Sequence, residues 1–190
     1  MSDHRVLVVE DDESIAELYR TFLEAEYPVE SAHTVEEAIE LVESSGESYD
    51  VVLLDRRLPD GPGRTVLEAI RDRNLDCRVA MVTGVEPDFD ILDMGFDLYL
   101  IKPIGGAELE NAVKTLVNRL EYDDLLQRAA ALASKRAVLE SQKSRTELEE
   151  SKEYERLLEE IDELDEDLME MAKGLSTEDY RAVFRDLGQA

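Results

Sequence analysis

The chain has 190 residues, enough for one or two domains, and a formal net charge of −26, from 47 Asp and Glu against 21 Lys and Arg. That balance argues against direct DNA binding, which needs clustered Lys and Arg to meet phosphates. No apolar stretch approaches the roughly 18 residues of a membrane span, and a single cysteine, Cys77, excludes an internal disulfide and fits a reducing cytoplasm. The basic residues are mostly arginine, 15 Arg to 6 Lys, and there is no Trp. The acid excess covers both parts of the chain: 28 acids to 11 bases over 1–122, and 19 to 10 over 123–190. Abundant carboxylates with scarce lysine suit a protein kept in solution at high salt, where screening weakens self-repulsion. The first apolar run, Val6 to Val9, is only four residues long, so no secretory signal is expected.

In chain order, short apolar runs alternate with amphipathic segments as far as residue 121, which predicts a doubly wound, five-stranded parallel sheet with helices on both faces. The predicted strands are Arg5–Val9, Val29–Ala32, Val51–Asp55, Val79–Val82 and Leu98–Ile101. The first helix, about Glu13–Glu24, is expected to bury Ile15, Leu18, Phe22 and Leu23, with Asp12 as its cap. The second starts at Thr34 with Glu37 three residues on, a capping box, buries Ala38, Leu41 and Val42, and ends near Ser45-Gly46. The third, about Gly63–Arg71, carries Val66, Leu67 and Ile70. Between Pro87 and Gly95 there is room for about two helical turns. The fifth begins near Gly105-Gly106 with Leu109, Ala112, Val113, Leu116, Val117 and Leu120 on its apolar face.

Beyond Pro103 there is no proline, and no glycine lies between Gly106 and Gly174, so very long helices are allowed. The fifth helix can run on through Leu125, Ala129, Leu132 and Leu139. Ser151 is a candidate cap for another helix, whose Tyr154, Leu157, Ile161, Leu164, Leu168, Met171 and Leu175 alternate in steps of three and four, the seam of a coiled coil. Acids crowd that seam, which disfavours two copies side by side. An antiparallel hairpin turning near 146–151 matches charge better, with Lys135, Arg136, Lys143 and Arg145 facing the acids. Gly174 is expected to stop the helix. A last one is predicted from Ser176 to Gly188, with Tyr180, Val183, Phe184 and Leu187 on one face.

The ends of four predicted strands carry the chemistry. Val6–Val9 runs into Glu10-Asp11-Asp12, Val51–Leu54 into Asp55, Val79–Val82 into Thr83-Gly84, and Leu98–Ile101 into Lys102-Pro103. Carboxyl ends of parallel strands open on the crevice where α/β sheets hold ligands. Acids, a hydroxyl and a lysine gathered there suit acceptance of a phosphoryl group on a carboxylate. Glu10-Asp11, Asp55 with Leu58-Pro59-Asp60-Gly61, Thr83 and Lys102-Pro103 resemble the receiver domain of two-component response regulators, over residues 4–121. The tail, from Leu132-Ala133-Ser134 through Glu153-Tyr154 with Ala182-Val183-Phe184-Arg185-Asp186-Leu187, resembles the HalX domain found beside receivers in haloarchaea.

The resemblance implies a flavodoxin-like receiver over 1–121 and a helical HalX-like module over 122–190. It implies that Asp55 is the phosphoacceptor and a sensor histidine kinase the donor. Mg²⁺ would be held by Glu10, Asp11, Asp55 and the backbone carbonyl of Arg57. Lys102, after a cis peptide to Pro103, and Thr83 would meet phosphoryl oxygens, and Tyr99 would be the aromatic switch. Asp12 is assigned to capping rather than to metal. Such a chain turns over nothing beyond its own phosphorylation and dephosphorylation. Its output would pass through a protein partner, in transcriptional control or otherwise, with a homodimer as a further expectation. The rival reading is a pseudo-receiver, a scaffold that keeps the fold without phosphorylation. His4, His33 and Cys77 carry no implied chemistry.

Overall fold

The computed structural model describes residues 3–44 and 49–174. Five parallel strands, β1 (Val6–Val9), β2 (Val29–Ala32), β3 (Val51–Leu54), β4 (Arg78–Thr83) and β5 (Leu98–Ile101), form one sheet in the order β2-β1-β3-β4-β5. The Val- and Leu-rich runs form strands because both faces are covered, so every residue of β1 and β3 is buried. Val6, Val8, Val51, Leu53, Ala80 and Val82 face one apolar core, and Leu7, Val9, Val52, Leu54, Val79 and Met81 the other. Each such Val, Leu or Met side chain contributes about 1.5–3 kcal/mol by leaving water.

On the first face lie α1 (Glu13–Leu23) and the start of α4 (Gly106–Gln142); on the second lie α2 (Val35–Ser44) and α3 (Arg64–Asp72). Asp12 caps α1 as predicted, accepting from the amides of Ser14 at 2.8 Å and Ile15 at 3.3 Å. The buried stripe of α1 is shifted from expectation. Ala16, Tyr19 and Leu23 enter the core, whereas Leu18 is 47% exposed, because one residue on a helix is a turn of about 100° away from Tyr19. Val66, Leu67 and Ile70 of α3, and Leu109 through Leu120 of α4, bury the predicted faces.

Two features depart further from the sequence reading. Thr34 caps α2 by accepting from the Glu37 amide at 3.1 Å, but the Glu37 carboxylate accepts from the amide of His33, not Thr34, at 2.7 Å. The free amides of Val35 and Glu36 are taken by Asp60, at 2.8 and 3.0 Å. The two turns predicted after Pro87 shrink to a 3₁₀ turn, Phe89–Asp93, whose Asp88 cap accepts from the Phe89 amide at 2.7 Å. Phe89 and Leu92 are 85% and 78% exposed. The segment has too little apolar surface turned inward to hold a longer helix.

The chain divides into two compact units, the first ending at Val117 and the second beginning at Asn118. The second contains the rest of α4, a short α5 (Arg145–Glu149) and α6 (Lys152–Gly174). The Ser144–Glu147 capping box that starts α5 escaped the sequence reading; the cap of α6 by Ser151, accepting from the Tyr154 amide at 3.1 Å, did not. α4 and α6 run antiparallel. Glu140 meets the Tyr154 hydroxyl at 2.8 Å, Arg128 meets Glu160 at 3.7 Å, and Leu132 and Leu164 are buried. The hairpin is therefore present, but its bases do not behave as expected. Arg136, Lys143 and Arg145 pair along their own segments with Glu140, Glu147 and Glu149, and Lys135 is exposed. Partners four residues away are reached with less loss of side-chain freedom than partners across the hairpin. The predicted ends near Ser45-Gly46 and the helix from Ser176 to Gly188 lie outside the described residues.

Candidate functional site

Strand register builds the site. Val9 is level with Leu54, so the next residues, Glu10 and Asp55, emerge side by side; Leu54 is level with Met81, which brings Thr83 to the same edge, and Thr83 is level with Ile101, so Lys102 follows. Backbone bonds lock these strand ends: Glu10 amide to Ala32 carbonyl at 3.0 Å, Asp55 amide to Val9 carbonyl at 2.9 Å, and Lys102 amide to Thr83 carbonyl at 2.9 Å.

Glu10, Asp55 and Thr83 are 2%, 8% and 1% exposed, and Asp11 is exposed. The Lys102 ammonium donates to Asp55 Oδ2 at 2.5 Å and also pairs with Glu10. Burial alone would lower its pKa; hydrogen bonds to Asp55 and Glu10 outweigh that and hold it above the usual lysine range. Burial likewise pushes the Glu10 carboxyl up, and Lys102 offsets this only in part. The other Asp55 oxygen accepts from the Arg57 amide at 3.0 Å. The Lys102–Pro103 peptide is cis.

Carboxylate oxygens of Glu10, Asp11 and Asp55 lie within 4.8 Å of one another. Three oxygens from three acids, one of them solvent-facing, fit a hard cation such as Mg²⁺, which takes oxygen ligands and keeps several waters. A single ammonium against three carboxylates leaves negative charge for a divalent ion to offset. The structure thus brings together Glu10, Asp11, Asp55, Thr83 and Lys102. Arg57 contributes its backbone amide, which donates to Asp55, while its side chain is exposed.

Tyr99 stands beside this group rather than in it. Its ring is buried and tilts against Phe96, and its hydroxyl donates to the Val85 carbonyl at 2.8 Å. Cys77 is buried with its thiol pushed up to about 11, which suits packing and not nucleophilic chemistry.

Four residues escaped the sequence reading. Gly63 lies against the backbone of Asp55, where an added Cβ would sit 2.0 Å from the carbonyl oxygen. Asp60 ties the loop after Asp55 to α2, and the Val35 and Glu36 amides hold its carboxyl below the usual range. His33 Nδ1 is 2.8 Å from the Glu10 carbonyl oxygen, a contact readable from the pairing of Ala32 with Val9. Arg56 bridges the Tyr99 hydroxyl, at 3.4 Å, and the Asp90 carboxylate. No local pattern announces the contacts of Gly63, Asp60 or Arg56, because each partner is eight or more positions away in sequence.

Comparison with known proteins agrees with this geometry. The response regulator receiver domain family matches residues 6–114, and the HalX domain family matches 118–184. A candidate transcriptional regulator of Haloferax volcanii is 47% identical over 137 residues, 72% of this chain and 23% of that protein. The alkaline phosphatase synthesis transcriptional regulatory protein PhoP of Bacillus subtilis is 35% identical over 121 residues, 62% of this chain and 50% of that one. This chain thus spans 23% and 50% of these two relatives' lengths. Among solved structures, a CheY-like receiver domain from Methanospirillum hungatei superposes with a TM-score of 0.58 at 31% identity, covering 64% of this chain and 99% of that one. The receiver domain of a Vibrio parahaemolyticus LuxO-type repressor gives 0.60 at 30%, covering 66% and 98%. The chain belongs to the response regulator receiver family of two-component systems, its receiver domain followed by a HalX domain.

Proposed function

We propose that the receiver accepts a phosphoryl group on Asp55 from a phosphohistidine of a sensor histidine kinase. The observation that carries this reading is the convergence of Glu10, Asp55, Thr83 and Lys102 at one sheet edge, with Lys102 already paired to Asp55. A carboxylate oxygen of Asp55 forms the new P–O bond as the P–N bond to imidazole breaks, and the bonding pair leaves with the imidazole nitrogen, which takes up a proton. The reaction needs positioning and charge neutralisation more than covalent help. Glu10, Asp11, Asp55 and the Arg57 carbonyl would hold Mg²⁺, which supplies positive charge against the phosphoryl oxygens. Lys102 then has two tasks. It neutralises Asp55 at rest, and it can move to a phosphoryl oxygen when Asp55 gives up its charge to the new bond. Thr83 donates its hydroxyl to another phosphoryl oxygen, and Tyr99 responds to movement of Thr83.

In this reading residues 1–121 act as receiver and 122–190 as the transmitting module of a cytoplasmic regulator. The names of the relatives support a role in transcription. The acidic balance of the tail, 19 acids to 10 bases over 123–190, favours output through a protein partner over direct DNA contact.

The test is labelling with a small phosphodonor and Mg²⁺, followed by mass spectrometry of the Asp55 peptide. The expected result is one phosphoryl group on Asp55, none on Asp55→Asn, slow labelling of Asp11→Asn at limiting Mg²⁺ and little effect of Asp12→Asn. Unchanged labelling of Asp55→Asn overturns the assignment. A folded chain that takes no label from a small donor or from a phosphohistidine is the pseudo-receiver scaffold instead.

A further inference from the structure

The second unit closes only one side of its own seam. Of the apolar positions that α6 turns to α4, Leu164 is buried, but Leu157, Ile161, Leu168 and Met171 stay half-buried. The Arg128–Glu160 pair marks the closed side. Arg128 directly precedes Ala129 of the α4 stripe, and Glu160 directly precedes Ile161 of the α6 seam. The helices therefore meet over the row just before each seam, and that row is charged on both: Arg128 and Lys135 on α4, Glu153, Glu160 and Asp167 on α6.

The row just after each seam lies on the other side and differs in kind. α4 carries Leu126 and Ala133 there, and α6 carries Leu158 and Ala172. Leu126 is 49% exposed, Leu158 is half-buried, and both alanines are exposed. Two helices complete as a pair need only a narrow two-row seam. A third apolar row belongs to a helix packed on two neighbours.

Charge decides what fits this flank. Over 125–142, α4 has three bases and one acid, a net of +2; over 152–174, α6 has ten acids and three bases, a net of −7. The covering surface must offer acids to α4 and bases to α6, each behind an apolar row. A second copy of the same hairpin has both.

We propose that the hairpin is half of a four-helix bundle completed by a second copy of this chain, with α4 of each copy beside α6 of the other. Each α4 then lies between two acid-rich helices, and the two α6 helices stand apart on the diagonal. The alternative, α6 against α6, would set the two copies' Asp165, which follows Leu164 in the same row, against each other. Placing α4 beside α6 also fixes the symmetry. The two-fold axis runs along the bundle, and both turns, residues 143–151, lie at one end.

The experiment uses the full chain in molar potassium chloride, with mass read by light scattering and helicity by circular dichroism. The unaltered chain should be a dimer. Leu126→Gln and Leu158→Gln should each raise its dissociation constant about tenfold, at unchanged helicity. Val138→Gln, at a site 62% exposed and on neither row, should leave it unchanged. Nitroxides on Glu150→Cys, in a Cys77→Ser chain, should lie about 10–20 Å apart, the width of a bundle whose helices are about 8–10 Å apart. A separation of about 35 Å, the length of the 23-residue α6, puts the turns at opposite ends and overturns the pairing. A dimer that both glutamine variants leave intact associates elsewhere and overturns the interface. A chain that stays monomeric overturns it as well, the flank then being covered by residues 175–190 or by another protein.

Discussion

At the scale of single residues, the site depends on one absent side chain as much as on those present. Gly63 has ordinary helical backbone angles, so its role is room and not conformation. Alanine there would place a methyl group 2.0 Å from the Asp55 carbonyl oxygen, a backbone atom that can yield only by moving the strand end. Gly63→Ala should cost about 2–4 kcal/mol, at or above the usual range for overpacking. It should also slow labelling of Asp55, whereas Gly84→Ala, which meets nothing within 4 Å, should melt like the parent. Thermal melts and labelling rates check both. The charged residues of the site were readable beforehand because each ends an apolar run, and the run itself says where the strand stops. Gly63, Asp60 and Arg56 were not, because what each touches is fixed by how loops close over the sheet. Asp60 lies in the Leu58-Pro59-Asp60-Gly61 stretch and Gly63 at the predicted start of the third helix, yet nothing local says that one would cap α2 and the other support Asp55.

At the scale of elements, apolar runs and caps located nearly every strand and helix, since a buried strand has no other way to satisfy both faces. The misses share a cause. Leu18 and the stretch after Pro87 were read from local apolar content alone, and burial depends on what the neighbouring layer offers. The cap on α2 gives an element-level prediction. Asp60 is held below its ordinary pKa of 3.8 by the Val35 and Glu36 amides, so its contribution is present above that value and fades as pH falls through the depressed one. Asp60→Ala should therefore lower the melting temperature at pH 7. The gap between variant and parent should close in strong acid, provided the parent remains folded enough to melt. In the hairpin, Leu164 of α6 is buried and Met169 is 65% exposed. Leu164→Ala should remove about 2 kcal/mol, the low end for a buried leucine because a two-helix unit packs it from few sides. Met169→Ala should leave helicity and melting unchanged, as read by circular dichroism.

For the whole molecule, charge dominates. A chain of net −26 repels itself, and several of its described ion pairs lie only three or four residues apart in sequence, while others, such as Arg73–Glu43 and Arg128–Glu160, join distant positions on the surface. Local pairs add little to global stability. Melting temperature should rise steadily from low salt to molar potassium chloride, where the Debye length shrinks to about 3 Å. A melt that is flat across that range would remove high-salt adaptation as the reason for the composition.

The near-complete burial of Glu10 and Asp55 divides the molecule into two electrostatic climates. Charges on the outer surface meet the dissolved salt and are muted by it as its concentration rises. The pair at the strand ends is buried against the Lys102 ammonium, so diffuse salt screens it far less, while the Asp11 side stays open to a bound cation. The same bath that quiets the exterior leaves the interior conversation between ammonium and carboxylate nearly at full volume. A chain built this way can let its surroundings change from dilute to saturated without retuning the chemistry at its centre.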